Sequence, residues 1–139
     1  MELEVKKYDH LKTQADAVLH FLQNLDIEMV SDILEDGRTY QDFEKHIFIK
    51  KLDYAFYEFI KAGDTFLYRY SGVCNTTFCN FNCKGFTFIG NNSSQYFDLI
   101  IDIKDGVVLD IYECTAFKSD YGELTKNNRI EIDRNYIPF

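Results

Sequence analysis

The chain has 139 residues, 46% of them apolar and 17% aromatic, and a formal charge of −8. Its apolar content excludes a disordered chain, and its length fits one domain, residues 1–139, burying roughly two-thirds of the surface of the unfolded state. The excess of 23 Asp plus Glu over 15 Lys plus Arg repels phosphate backbones and anionic lipid, so neither nucleic acid nor membrane is an expected partner.

The first residues, Met1 to Lys7, are charged and hold no apolar segment of the kind a secretory signal needs. No window approaches the ~20 apolar residues of a bilayer span. The expected compartment is the cytoplasm, where cysteines remain thiols. The aromatic residues are 13 Phe and 10 Tyr with no Trp. So many rings fill a core, line a pocket or cover a partner surface.

In chain order, Leu11, Ala15, Val18, Leu19, Leu22 and Leu25 repeat at helical spacing, which predicts a helix over residues 8–25 with one buried stripe. Asp26 is the expected N-cap of a shorter helix carrying Ile27, Val30, Ile33 and Leu34, stopped by Glu35-Asp36-Gly37. Arg38-Thr39-Tyr40 reads as a short extended piece. A long helix follows from about Asp42 to Ala62, with Phe48, Leu52, Ala55, Phe56 and Phe59 on its face, Ile60 beside it, and Gly63 as a left-handed cap.

From residue 64 the period changes from 3.6 to 2, and four strands fold back on one another: 64–74, 84–90, 96–104 and 107–117. Phe97, Leu99, Ile101 and Ile103 share one face, opposite Tyr96, Asp98 and Asp102. Asp105-Gly106 is a two-residue hairpin signal. In the last strand Val107, Leu109 and Ile111 form the expected apolar row. Residues 118–139 are polar, then regain alternation at Ile130 and Ile132, as for an added edge strand or a segment docked on the sheet.

Two helices, a short extended piece, a long helix and a four-strand meander are the order of the nuclear transport factor two-like superfamily, which residues 8–117 resemble. The stretch Phe59-Ile60-Lys61-Ala62-Gly63-Asp64-Thr65, where helix passes into strand, is similar to the same junction in those domains. The chain also resembles small uncharacterised proteins that share the loop Gly72-Val73-Cys74 and the strand end Gly85-Phe86-Thr87-Phe88-Ile89-Gly90-Asn91. The resemblance implies an α+β, cystatin-like cone, with N-terminal helices in the concavity of a curved, mostly antiparallel sheet. It also implies a homodimer paired through the sheet. This fold hosts isomerases, dehydratases, cyclases and non-catalytic binding modules, so it does not choose a function.

Three constellations carry the candidate chemistry. Cys74, Cys79 and Cys83 put three thiols into ten residues, a spacing that suits zinc, which needs four tetrahedral ligands. Zinc with a fourth ligand from elsewhere, a disulfide between Cys74 and Cys83, and plain thiols all remain open; Cys114, eight residues along the last strand, is read as a small buried hydrophobe. The second constellation is Glu113, which continues the row of Val107, Leu109 and Ile111. An interior carboxylate there would serve as general base, with Tyr112 or a nearby tyrosine as hydrogen-bond donor; a solvated strand end is the plainer reading. The third is an aromatic-lined cone, with Phe56, Tyr68, Tyr70, Phe88 and Phe97 as the rings expected to meet a small apolar or aromatic ligand. The leading expectation is a non-catalytic domain binding such a ligand or a protein; the alternatives are an isomerase-, dehydratase- or cyclase-type enzyme using the Glu113 carboxylate, and an interaction module whose three-cysteine loop holds zinc at a contact surface. No cofactor is expected unless the cysteine loop holds zinc.

Overall fold

The computed structural model describes residues 11–74, 84–113, 117–119 and 128–132. The described residues form an α+β arrangement, with three helices against one face of a curved antiparallel sheet. In order, the elements are α1 (Gln14–Gln23), α2 (Ile27–Ile33), β1 (Thr39–Tyr40), β2 (Phe43–Glu44), α3 (Lys45–Lys61), β3 (Leu67–Cys74), β4 (Lys84–Gly90), β5 (Tyr96–Lys104), β6 (Val107–Tyr112) and β7 (Phe117–Ser119).

Each helix starts and stops where its local chemistry dictates. Thr13 caps α1, its hydroxyl accepting from the Asp16 amide at 3.1 Å, and Asp26 caps α2 through the Met29 amide at 3.2 Å. Of the helix expected over residues 8–25, residues 8–10 lie outside the described residues, and the helix is observed over Gln14–Gln23. A two-residue turn at Gln41 and Asp42, both in the left-handed region, closes the β1–β2 hairpin. The long helix therefore begins at Lys45 rather than near Asp42, and it ends at left-handed Gly63.

The main sheet runs β6-β5-β4-β3-β7, all antiparallel. Tyr112, Ile100, Gly85, Gly72 and Ser119 form one cross-strand row. In a flat sheet the four spacings of that row would cover ~19 Å, and Phe117 lies two residues further along. The five residues from Tyr112 to Phe117 reach at most ~18 Å. The sheet must curl for β7 to pair with β3.

The face of the sheet turned to the helices carries Leu67, Phe88, Phe97, Leu99, Ile101 and Ile111, all fully buried. Against them pack Val18 and Leu22 of α1, Val30 of α2, and Phe48, Leu52, Phe56 and Phe59 of α3. Phe59 and Phe88 each place their ring centroid 5.4 Å from that of Phe97. Ile60, expected beside the α3 face, is exposed.

The apolar row expected in β6 is displaced. Asp102 pairs with Asp110 but Ile103 pairs with Val108, so Leu109 is an extra, bulged residue. The buried pair is Val108 and Ile111, with Val107 and Leu109 only half-buried. A bulge inverts the alternation on one side of itself, which a strict period of two cannot anticipate.

The opposite face is also covered along β4 and β5, where Thr87, Ile89, Tyr96, Asp98 and Ile100 are buried. Part of the tail is built into the fold. β7 pairs with the end of β3, and residues 128–132 run beside the start of β5, where the Ile130 amide donates to the Tyr96 carbonyl at 2.7 Å. Ile130 and Ile132 are both buried in the core.

Candidate functional site

The five rings expected to line a pocket are not brought to one cavity. Phe56, Phe88 and Phe97 are packed in the core with almost no exposed surface. Tyr68 alternates with buried Leu67 along β3, so it points away from the helices; it is exposed, with its ring edge-on to Phe66 at 5.1 Å. Tyr70 shares that outward face by the same alternation.

Glu113 lies just beyond β6 and ties three parts of the chain together. One carboxylate oxygen accepts from the Gln41 side-chain amide at 3.1 Å and the other from the Ile132 backbone amide at 2.9 Å. Beside it, Asp110 accepts from the Gln41 backbone amide at 2.9 Å, and burial raises its pKa above the ordinary carboxylate value despite that bond. Tyr112, half-buried, precedes Glu113 at the end of β6. Of the cysteines, Cys74 ends β3, whereas Cys79, Cys83 and Cys114 lie outside the described residues. Among the described residues no three metal-ligating side chains converge.

Among the clefts lined by described residues are three that Glu113 does not line. The smallest, about 270 Å³, lies between α1 and β3 and is lined by Leu11, Asp16, His20, Gln23 and Arg69. Partial burial lowers the pKa of Arg69 and the Asp16 charge opposes that shift. A shallow groove of about 390 Å³ is lined by Asp53, Tyr54 and Tyr57 on the outer side of α3.

The largest of the three has a volume of about 750 Å³ and lies where α2, the β1–β2 hairpin and the start of α3 meet. Ile49 supplies its apolar floor, and Arg38, Lys45, His46 and Lys50 face it together with Asp36 and Glu44. Lys45 is the fixed point. Its ammonium donates to the Leu34 carbonyl and to Asp36, both at 2.7 Å, and only 16% of its side chain is exposed. Arg38 gives Nε and Nη2 to a single Glu35 oxygen, at 3.3 and 2.8 Å. His46 stands 3.5 Å from Glu44, the α3 N-cap residue, whose side chain makes no cap bond.

Sequence reasoning passed over this cleft. The available signal was the gathering of Arg38, Lys45, His46, Lys50 and Lys51 within fourteen residues of an otherwise acidic chain. It was hidden because the hairpin that folds residue 38 back beside residues 45–50 rests on a Gln-Asp turn, which lacks the usual glycine.

No family model, curated protein or solved structure matches this chain. No described helix is long and apolar enough to cross a membrane.

Proposed function

We propose that the chain is a non-catalytic small-ligand-binding domain on a cone of the nuclear transport factor two-like kind, with its ligand in the outer cleft rather than inside the cone. The observation carrying this reading is a contrast between two places. Between helices and sheet, Phe48, Phe56, Phe59, Phe88 and Phe97 fill the interior with almost no exposed surface. Outside, the cleft at the α3 N-terminus falls in the size range of ordinary small-molecule sites and joins an apolar floor to a few polar groups.

The catalytic alternative needs Glu113 inside a pocket within hydrogen-bond reach of a tyrosine or another donor; its carboxylate accepts from Gln41 and Ile132 and lines none of the three clefts described above. A second reading, binding of a protein or of a second copy, has one supporting observation. Tyr54, Tyr57 and Ile60 are 44%, 57% and 53% exposed on α3.

A fragment screen followed by amide chemical shifts of the labelled full chain tests the leading reading. Fragments carried by the cleft shift the amides of residues 36–39 and 44–50. Fragments that shift only the amides flanking Tyr54, Tyr57 and Ile60 would transfer the function to that surface. A screen that perturbs neither region would end the small-ligand reading.

A further inference from the structure

We infer that the outer cleft is an anion site, which takes a small organic ligand through a phosphate or carboxylate group. This rests on the cleft being the binding site and adds the ligand's chemical class. The argument begins with unspent donors. A lysine ammonium has three N–H groups and a guanidinium has five. Lys45 spends two, on Leu34 and Asp36, and is held in place by them, so its third has no partner among the described residues. Arg38 spends two of its five on Glu35. Lys50 forms no hydrogen bond or ion pair among the described residues.

Three cationic side chains therefore line one recess, and two of them, Lys45 and Arg38, are oriented by internal bonds before any ligand arrives. Pre-orientation matters because the entropy of ordering long side chains is otherwise lost on binding. Against them stand Asp36 and Glu44 on the cleft wall and Glu35 behind Arg38. Asp36 is 94% exposed, so water screens it and it can swing away, whereas Lys45 is held by the Leu34 carbonyl as well. A cation entering the cleft would meet the better-fixed charges with the wrong sign. An anion would displace Asp36 and complete the Lys45 donor set.

The proposal fixes the sign of two substitutions at exposed positions. Inorganic phosphate is titrated into the labelled full chain at constant ionic strength, with amide shifts as the readout. Saturable shifts are expected at residues 36–39 and 44–50. Asp36→Asn, which removes the competing carboxylate, should tighten binding several-fold. Lys50→Gln should weaken it about tenfold, the size expected for one charge-assisted hydrogen bond. Shifts that fail to saturate, or an affinity that neither variant changes, would overturn the anion assignment. Uncharged fragments separate the two readings. If they shift the cleft amides and phosphate does not, the cleft remains the binding site and its anion preference is refuted. If neither shifts them, both readings fall.

Discussion

The carboxylate of Asp64 occupies the space in which any side chain at position 90 would begin. Asp64 follows left-handed Gly63 at the end of α3, and Gly90 closes β4. One Asp64 oxygen accepts from the amides of Asn92 and Ser93, both at 2.7 Å, and the other from the Ser93 hydroxyl. Asn91 answers from the other side, its side-chain oxygen accepting from the Thr65 amide at 2.9 Å. The helix-to-strand junction and the β4–β5 turn are thus one clamp. Gly90→Ala should cost about 2–3 kcal/mol, as forced overpacking does against a partner that cannot retreat. Asp64→Asn should cost about 1–3 kcal/mol through lost bonds to a charged acceptor. Urea unfolding measures both, and an unchanged midpoint for Gly90→Ala would show that the clamp yields.

Phe97 is the keystone of the helix–sheet packing, touching Phe59 of α3 on one side and Phe88 of β4 on the other. Phe97→Ala should lose about 3–5 kcal/mol, because rings on both sides prevent the cavity from collapsing. Tyr57→Ala, on the exposed side of α3, should stay within about 0.5 kcal/mol. Similar losses at the two positions would mean that the core has been assigned to the wrong face of α3.

Much of this architecture is legible without coordinates. Gly63 ends the long helix, Asp26 caps the short one, and β5 has the bounds its alternation gives, Tyr96–Lys104. Hydrophobic period and capping chemistry are local, so a single chain displays them. What stayed hidden depends on distant pairing. The bulge at Leu109 is defined only against β5, and the burial of Asp98 and Thr87 on the outer face only once the sheet and its tail are assembled. The cleft is likewise non-local, since its cations come from either side of a hairpin that only the fold closes.

Asp98 should make the fold less stable as pH rises. It is buried opposite Thr87, whose hydroxyl donates to it at 2.5 Å, with the Arg129 guanidinium 4.0 Å away. Burial raises its pKa above the ordinary carboxylate value, and the Thr87 bond and the Arg129 charge only partly oppose that. Between the unfolded and folded pKa values the native state therefore binds more protons. The contribution of Asp98 is fully present below the unfolded pKa and is lost as pH rises through the folded one. Asp98→Asn removes this pH-dependent contribution while keeping a group that Thr87 can reach. The stability of the parent relative to the variant should therefore fall between pH 4 and pH 7. Urea midpoints measured across that range check it, and parallel pH profiles for the two proteins would refute the assignment.

Glu113 should act as a tie, and hydrogen exchange distinguishes that role from a catalytic one. Its two oxygens hold the side chain of Gln41 in the β1–β2 turn and the backbone amide of Ile132 in the tail. Glu113→Ala leaves both donors without this acceptor, in a region where Ile132 is fully buried. An unsatisfied buried donor costs about 1–3 kcal/mol, so exchange at the Ile132 amide should quicken by about fivefold or more. Exchange at Leu99 and Ile101, deep in β5, should change only as far as global stability does. Glu113→Gln keeps one acceptor oxygen and should fall between the two. If the Ile132 amide exchanges as slowly in Glu113→Ala as in the parent, the tail is held by the packing of Ile130 and Ile132 alone. The carboxylate would then be released from this structural role.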